Sequence, residues 1–192
     1  RETAPVFELF VLALACGMLF RQSQLILPQL SVLGFADSEF TDRRAERAEA
    51  EAISAILYPN DAGEHGRLLR LKQEYLFVSA GIYSLLETFE KEHGENWELL
   101  PQFVAIHTND THPAMCGPEL MRILIDEKKL EWDDAWNIVT HTVAYTNHTV
   151  LAEALERWPQ GLIENLLPRI WQILKEIAAR YQRTLEQHFH AD

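Results

Sequence analysis

Apolar and polar positions change period several times along the chain, and each change predicts an element. Over residues 37–57, Ala45, Ala48, Ala52, Ile53, Ile56 and Leu57 recur at spacings of three and four, while arginines and glutamates take the other side. That is the pattern of an amphipathic helix with a modest apolar face, with Arg47 and Glu51 spaced to pair. Tyr58-Pro59-Asn60-Asp61-Ala62-Gly63-Glu64-His65-Gly66 breaks it, because a residue before proline avoids the helical conformation and two glycines release the backbone. Such a loop is either a plain connection or a gate over a site. A long helix is expected from about Arg67 to Lys91, striped by Leu68, Leu71, Tyr75, Val78, Ile82, Leu85 and Phe89 and closed by Gly94. Arg67, Arg70 and Lys72 crowd its amino end, where the helix dipole opposes cations, which points to an acidic neighbour, an anionic ligand or a plain cationic surface.

Two short runs read differently. Phe103 to Thr108 stops at Asn109-Asp110-Thr111-His112-Pro113, and Thr142 to Thr146, β-branched and aromatic, runs into Asn147-His148-Thr149. Both are predicted as buried strands near 103–108 and 142–147. Between them, Glu119 to Lys128 reads as one helix and Asp133 as the N-cap of the next, so the crossover suits a parallel pair. Val150 to Trp158 is expected to hold a short helical turn, and Pro159 and Pro168 introduce two final helices. The fold class expected is therefore α/β, mainly helical, with about two short parallel strands. In such sheets ligands gather at the carboxyl edge, where Asp110, His112 and His148 would meet.

The run Pro5 to Phe20 is densely apolar but interrupted by Glu8, and it is too short to cross a bilayer comfortably. It lacks the basic start and cleavage site of a signal peptide, so a helix buried by another element is expected there over a targeting segment. The 192 residues fit one domain, and 47% hydrophobic content places the chain among globular proteins. A net charge of −12 argues against nucleic acid and anionic membrane as partners, leaving neutral ligands unaffected. Cys16 and Cys116 lie far apart without a metal or redox spacing, so a reducing cytoplasm is the simplest setting.

Asp110, His112 and His148 leave three chemistries open: metal binding, acid–base work, or hydrogen bonding to a polyol. A plainer alternative is that Asp110 and His112 cap the following helix and satisfy loop amides. His107 is expected to point from its strand into packing. No HExxH pair, GxSxG elbow, GxGxxG or P-loop is present, so residue chemistry alone reaches a polar ligand site at strand ends.

Longer motifs add to this. Asn109-Asp110-Thr111-His112-Pro113 with Pro118-Glu119-Leu120-Met121-Arg122, and Ala144-Tyr145-Thr146-Asn147-His148-Thr149-Val150-Leu151-Ala152-Glu153-Ala154-Leu155-Glu156-Arg157-Trp158-Pro159, closely resemble the glycogen and maltodextrin phosphorylases. Leu57-Tyr58-Pro59-Asn60-Asp61 and Leu69-Arg70-Leu71-Lys72-Gln73-Glu74-Tyr75 match the same family in the same order. The resemblance runs from about Phe35 to Phe189, so residues 35–192 are expected to be the later part of a phosphorylase amino-terminal domain, of the Rossmann-like GT-B type. Residues 1–34 do not resemble the family.

What the resemblance implies is phosphorolysis of α-1,4-glucan to glucose 1-phosphate with retention, by a cytoplasmic homodimer. The complete enzyme would use pyridoxal 5′-phosphate, held by a lysine outside this chain. On matching positions His148 would be the catalytic contact to the glucosyl unit. Asn60 and Asp61 would lie on the gating loop, with Asp110, His112 and Thr149 lining the substrate pocket; no metal is implied. The loop departs from the family after Asp61, where many members carry Asn and aromatics. Glu87 and Thr88 replace an arginine pair that regulated animal members use for a nucleotide phosphate. The chain alone is expected to be inactive for want of the cofactor domain. Rival readings are a non-catalytic carbohydrate-binding fragment, a helical interaction protein, and metal-dependent hydrolysis through Asp110, His112 and His148.

Overall fold

A computed structural model describes residues 9–11, 40–57, 59–151 and 155–189. Three strands, β1 (Leu9–Val11), β2 (Ala105–Asn109) and β3 (Val143–Thr146), form one sheet in the order β1-β2-β3. Both pairings are parallel, with Ile106 opposite Val143 and Asn109 opposite Thr146. The expected pair is thus present and in register, and its polar residues fall at the same edge. The third strand differs from the helix expected over the apolar start. Leu9-Phe10-Val11 is apolar at every position, a pattern that suits a doubly covered parallel strand as well as a buried helix. The rest of that apolar start and Cys16 lie outside the described residues.

Helices α1 (Phe40–Ala55) and α2 (Glu64–His93) precede the central strand, joined to it by a 3₁₀ turn and the single-turn α3 (Leu100–Phe103). The crossover from β2 to β3 holds α4 (Cys116–Arg122), a π-helical turn (Ile123–Glu127) and α5 (Trp132–Thr142). Helices α6 (Gln160–Leu166) and α7 (Pro168–Phe189) close the chain. The core collects Leu71, Val78, Ile82, Leu86 and Phe89 from α2, Leu120, Met121, Ile123 and Leu124 from α4 and its π turn, and Ile138 from α5. Ile106 of β2 is 1% exposed, so the strand that carries the Asp110 loop is anchored from beneath.

Three local expectations are corrected. The helix expected from Glu119 to Lys128 widens into a π turn at Ile123 that ends at Glu127, with Lys129 beyond it at a φ of 62° turning the chain left-handed. Asp133 does not cap α5: Glu131 holds that place, and the Asp133 carboxylate instead accepts from Arg180 Nη1 at 2.6 Å. No helical turn occurs over 150–151 or 155–158, and residues 152–154 lie outside the described set. In addition, the apolar stripe is thinly covered just past the end of α1, with Ile56 69% and Leu57 42% exposed. A stripe in which three of the six positions are alanine offers little area to bury. Gln73 of α2, 4% exposed, compensates by donating from Nε2 to the Ile53 and Ile56 carbonyls at 2.7 and 2.9 Å, which ties down the end of α1.

Candidate functional site at the strand ends

The ladder between β2 and β3 runs one step past the strands, since Asp110 donates its N–H to Thr146 O at 2.8 Å. Asp110 then turns left-handed, with φ 59°, a conformation that Asp and Asn tolerate better than most residues. That turn brings its Oδ1 to the backbone N–H of His148, 2.9 Å away. Asn109 Oδ1 lies 3.3 Å from His148 Nε2. Two strand ends are therefore joined through residues 109–110 on one side and 146–148 on the other. His148 itself is exposed, its ring edge turned toward Asn109. His107 hydrogen-bonds Thr146 Oγ1 and is half-buried, so it serves packing, as its place in the strand suggested.

A second cluster stands beside this one, centred on Arg70. The loop before α2 folds back over the helix start: Arg67 Nε donates to Asp61 O at 3.2 Å, and Arg70 Nη1 to Asp61 Oδ2 at 2.9 Å. Gly66 is required by that crossing, because a Cβ there would sit 1.8 Å from Asn60 O. Arg70 also donates from Nε to Glu74 at 3.1 Å and from Nη2 to Glu156 at 2.5 Å. His112 Nδ1 is 3.0 Å from Glu156 Oε1. Glu156 in turn accepts from Thr111 Oγ1 at 3.1 Å, and its own N–H reaches that hydroxyl at 3.3 Å. One guanidinium thus gathers the gate-like loop, the loop after β2 and the segment after β3.

Its electrostatics follow from crowding. Burial and the neighbouring Glu156 charge raise the Glu74 carboxyl to about 8, against an ordinary 4.5. Glu156 moves the other way: burial opposes the shift, but the hydrogen bonds from His112 and Glu74 and the Arg70 charge hold it below the ordinary value. Crowding of three carboxylates around one guanidinium favours the protonated form of Glu74 and the ionised form of Glu156. Glu74, His112 and Glu156 present ligand atoms within 4.8 Å of one another, a spacing that could hold a metal ion. Arg70 already bonds one oxygen of each of these carboxylates and supplies positive charge there.

Beneath the loop, Glu119 is fully buried and accepts from Tyr75 and Ser79 at 2.7 Å each, and from Arg122 Nε and Nη2 at 2.7 and 2.9 Å. Every lone pair of this carboxylate is used, which is the condition for keeping a charge buried. Burial and the bond to Glu119 raise the Tyr75 hydroxyl, so it stays a donor, and α2 is pinned to α4. Burial, with Glu119 nearby, pushes the Cys116 thiol up to about 12, which leaves it unreactive.

The structure brings Asp110 and His148 together and places Asp61 and His112 around Arg70. Asn60 turns its Oδ1 to its own loop, accepting from Ala62 N–H at 3.0 Å. Thr149 also bonds locally, its Oγ1 accepting from Leu151 N–H at 3.2 Å. Arg70, Glu74, Glu156 and Asn109 were not singled out as site residues by pattern alone. Only the three cations at an unfavourable helix end hinted at them, and the acidic neighbours they implied are Asp61, Glu74 and Glu156.

The sequence pattern of the family described as carbohydrate phosphorylase matches residues 19–192. The chain belongs to that family. The match begins inside the apolar first segment rather than after it. Among its relatives are the glycogen phosphorylase of Bacillus subtilis (strain 168), 47% identical over 76% of this chain and 18% of that protein, and the potato (Solanum tuberosum) chloroplastic/amyloplastic alpha-1,4 glucan phosphorylase L-1 isozyme, 51% identical over 74% and 15%. The cytosolic alpha-glucan phosphorylase 2 of Arabidopsis thaliana is 43% identical over 81% of the chain and 19% of its own length. The chain thus corresponds to a fragment of such a phosphorylase, under a fifth of each relative's length. Among the described residues no helix is long and apolar enough to cross a membrane.

Proposed function

We propose that this segment forms one wall of the glucosyl site of an α-1,4-glucan phosphorylase, the enzyme that moves a glucosyl unit from glycogen or maltodextrin to inorganic phosphate. What carries the reading is the fixed His148 backbone at the carboxyl ends of two parallel strands, held by the carboxylate of Asp110. In phosphorolysis the bond from the anomeric carbon to the glucan oxygen breaks, a bond to phosphate oxygen forms, and the leaving oxygen takes up a proton. Positive charge builds at the anomeric carbon between those events. A backbone carbonyl at His148 would face that charge while the imidazole holds a sugar hydroxyl. The hydroxyl bond acts in ground and transition state alike, whereas the carbonyl dipole gains only as charge develops, and that difference is what accelerates a reaction. Asn60 and Asp61 border the site on the gating loop, and Asp110, His112 and Thr149 line the pocket beside it. Pyridoxal 5′-phosphate is the cofactor of the whole enzyme and is attached away from these residues. A homodimer in the cytoplasm is the setting we assign, in keeping with the cytosolic label of the Arabidopsis relative.

The test is His148→Ala in a phosphorylase carrying this segment. Transition-state stabilisation should fall by about 1–3 kcal/mol, the cost of a buried hydrogen bond left unmade, and His148→Asn should lose less. An unchanged kcat/KM in the folded His148→Ala enzyme would leave the residue as packing at a strand end. Calorimetry of the chain with maltodextrin separates this from the reading as a plain interaction fragment, which requires no glucan binding.

A further inference from the structure

The geometry assigns Asp110 a positioning role: its left-handed backbone and its carboxylate together lock the peptide that enters His148, so that the residue acts through His148. Four observations meet at this point. Asp110 is one of two described non-glycine residues with positive φ, at 59°. Its N–H closes the last bond of the parallel ladder on Thr146 O at 2.8 Å, and its Oδ1 accepts the His148 N–H at 2.9 Å. Its neighbour Asn109 places Oδ1 3.3 Å from His148 Nε2, so main chain and ring of His148 are held from adjacent residues.

The left-handed turn is what allows both bonds. In an extended conformation the strand would continue past Thr146 and the Asp110 carboxylate would point away from the neighbouring chain. With φ positive, the side chain swings back over the ladder and reaches across Asn147, the one residue between Thr146 and His148. Asp and Asn occupy that region at small cost because their short polar side chains bond locally, while alanine does not. Residues 147 and 148 are exposed and have no strand partner; Asn147 Nδ2 donates to Thr149 O at 2.5 Å and Asn109 holds the ring, while among the described contacts the Asp110 carboxylate is the one that bonds the His148 N–H itself. A fixed peptide plane removes one torsional freedom from the carbonyl that follows it. That rigidity matters to catalysis, because a misplacement of about 1 Å at a reacting centre costs on the order of a hundredfold.

This assignment rests on the phosphorylase reading only for its catalytic consequence; the lock itself can be seen in the chain alone. The first arm follows the His148 amide by NMR hydrogen exchange in the 192-residue chain and three variants. Asp110→Asn keeps an acceptor and tolerates positive φ, Asp110→Gly keeps only the φ, and Asp110→Ala keeps neither. Slow exchange in the parent and in Asp110→Asn, with exchange about tenfold or more faster in Asp110→Gly and Asp110→Ala, is the expected result. The glycine variant guards against a fold lost to backbone strain. Equal protection in Asp110→Gly and the parent overturns the lock. The second arm measures kinetics in a phosphorylase carrying the segment. There kcat should fall about ten- to a hundredfold in Asp110→Gly, with KM for glucan within about threefold, and Asp110→Asn should recover most of the loss. A raised KM that asparagine does not rescue would make Asp110 a substrate contact and overturn its positioning role. A phosphorylase whose His148→Ala variant is fully active would instead sink the functional reading, and the NMR arm would still decide the lock.

Discussion

At the scale of single residues, the site depends on a few positions where one atom more or less changes the sign of the outcome. Gly66 lies in the first turn of α2, where alanine would normally stabilise a helix by roughly 0.5–1 kcal/mol. Here the added Cβ would meet Asn60 O at 1.8 Å and Asn60 C at 2.9 Å, both backbone atoms, so the loop itself must lift. Clashes of this kind cost typically about 1–3 kcal/mol, which outweighs the helical gain. Gly66→Ala should therefore release the Asp61 contacts to Arg67 and Arg70, and limited proteolysis within residues 59–63 should quicken. Unchanged cleavage would mean that the loop does not depend on this crossing. Glu74 gives a pH dependence with a definite sign. Its folded-state value of about 8 lies above the ordinary 4.5, so between those values the folded chain binds more protons than the unfolded one. The stabilisation is fully present below the lower value and is lost as pH rises through the upper one. Glu156, shifted down, opposes this with the contrary slope. Glu74→Gln mimics the protonated form and still accepts from Arg70, so it should flatten the fall in urea midpoint between about pH 5 and 8. It should gain on the order of 1 kcal/mol over the parent at the alkaline end. A parent midpoint already flat across that range would refute the assignment of the proton to Glu74.

At the scale of elements, what was legible in the sequence were those whose period is set by burial. The α2 stripe is regular, and the β2 and β3 runs stop at polar clusters, so both strands and their parallel pairing could be read in advance. The core of the resemblance, Asn109 to Pro113 and Ala144 to Pro159, falls on the loops that meet at the strand ends. Elements fixed by particular hydrogen bonds were not legible. The π turn after α4, with Lys128 N–H on Ile123 O and Leu130 N–H on Leu124 O, both at 3.0 Å, leaves the apolar period looking like an ordinary helix. Asp133 has the chemistry of a cap, yet Arg180 from α7 takes its carboxylate, a partner 47 residues away that no local pattern announces. The Arg70 cluster escaped for the same reason, since its acids arrive from three separate stretches. Gln73 is the clearest case, a polar residue buried inside an apolar stripe because it caps the carbonyls of another helix. Gln73→Ala should leave two carbonyls of α1 without this donor and cost about 1–3 kcal/mol locally. Amide exchange over residues 40–55 should then speed up while α4 and α5 keep their protection. Loss of protection across all helices would show instead that Gln73 supports the whole core.

At the scale of the molecule, the described residues supply a rigid floor and an open side. Ile106, Leu120 and Glu119 hold the floor, each at 1% exposure or less. Above it the end of β3 and the residues after it face water: Tyr145 is 52% exposed, Val150 101%, Leu151 57% and Leu155 42%. Large apolar side chains left uncovered beside a polar site are what a cleft with a second wall elsewhere would look like, and the relatives have more than four-fifths of their length beyond the matched region. Stabilising charge at an anomeric carbon requires preorganised dipoles in a site from which water is excluded, since in bulk water a carbonyl dipole is screened almost completely. The His148 carbonyl in this chain would work against solvent on the open side. The purified 192-residue chain should therefore form no glucose 1-phosphate from maltodextrin and phosphate, measured by an assay coupled to consumption of that product. Joining it to the remainder of a phosphorylase should restore the reaction, with its dependence on His148. Glucose 1-phosphate formed by the chain alone, and abolished by His148→Ala, would mean that one wall suffices and that the open side closes in solution.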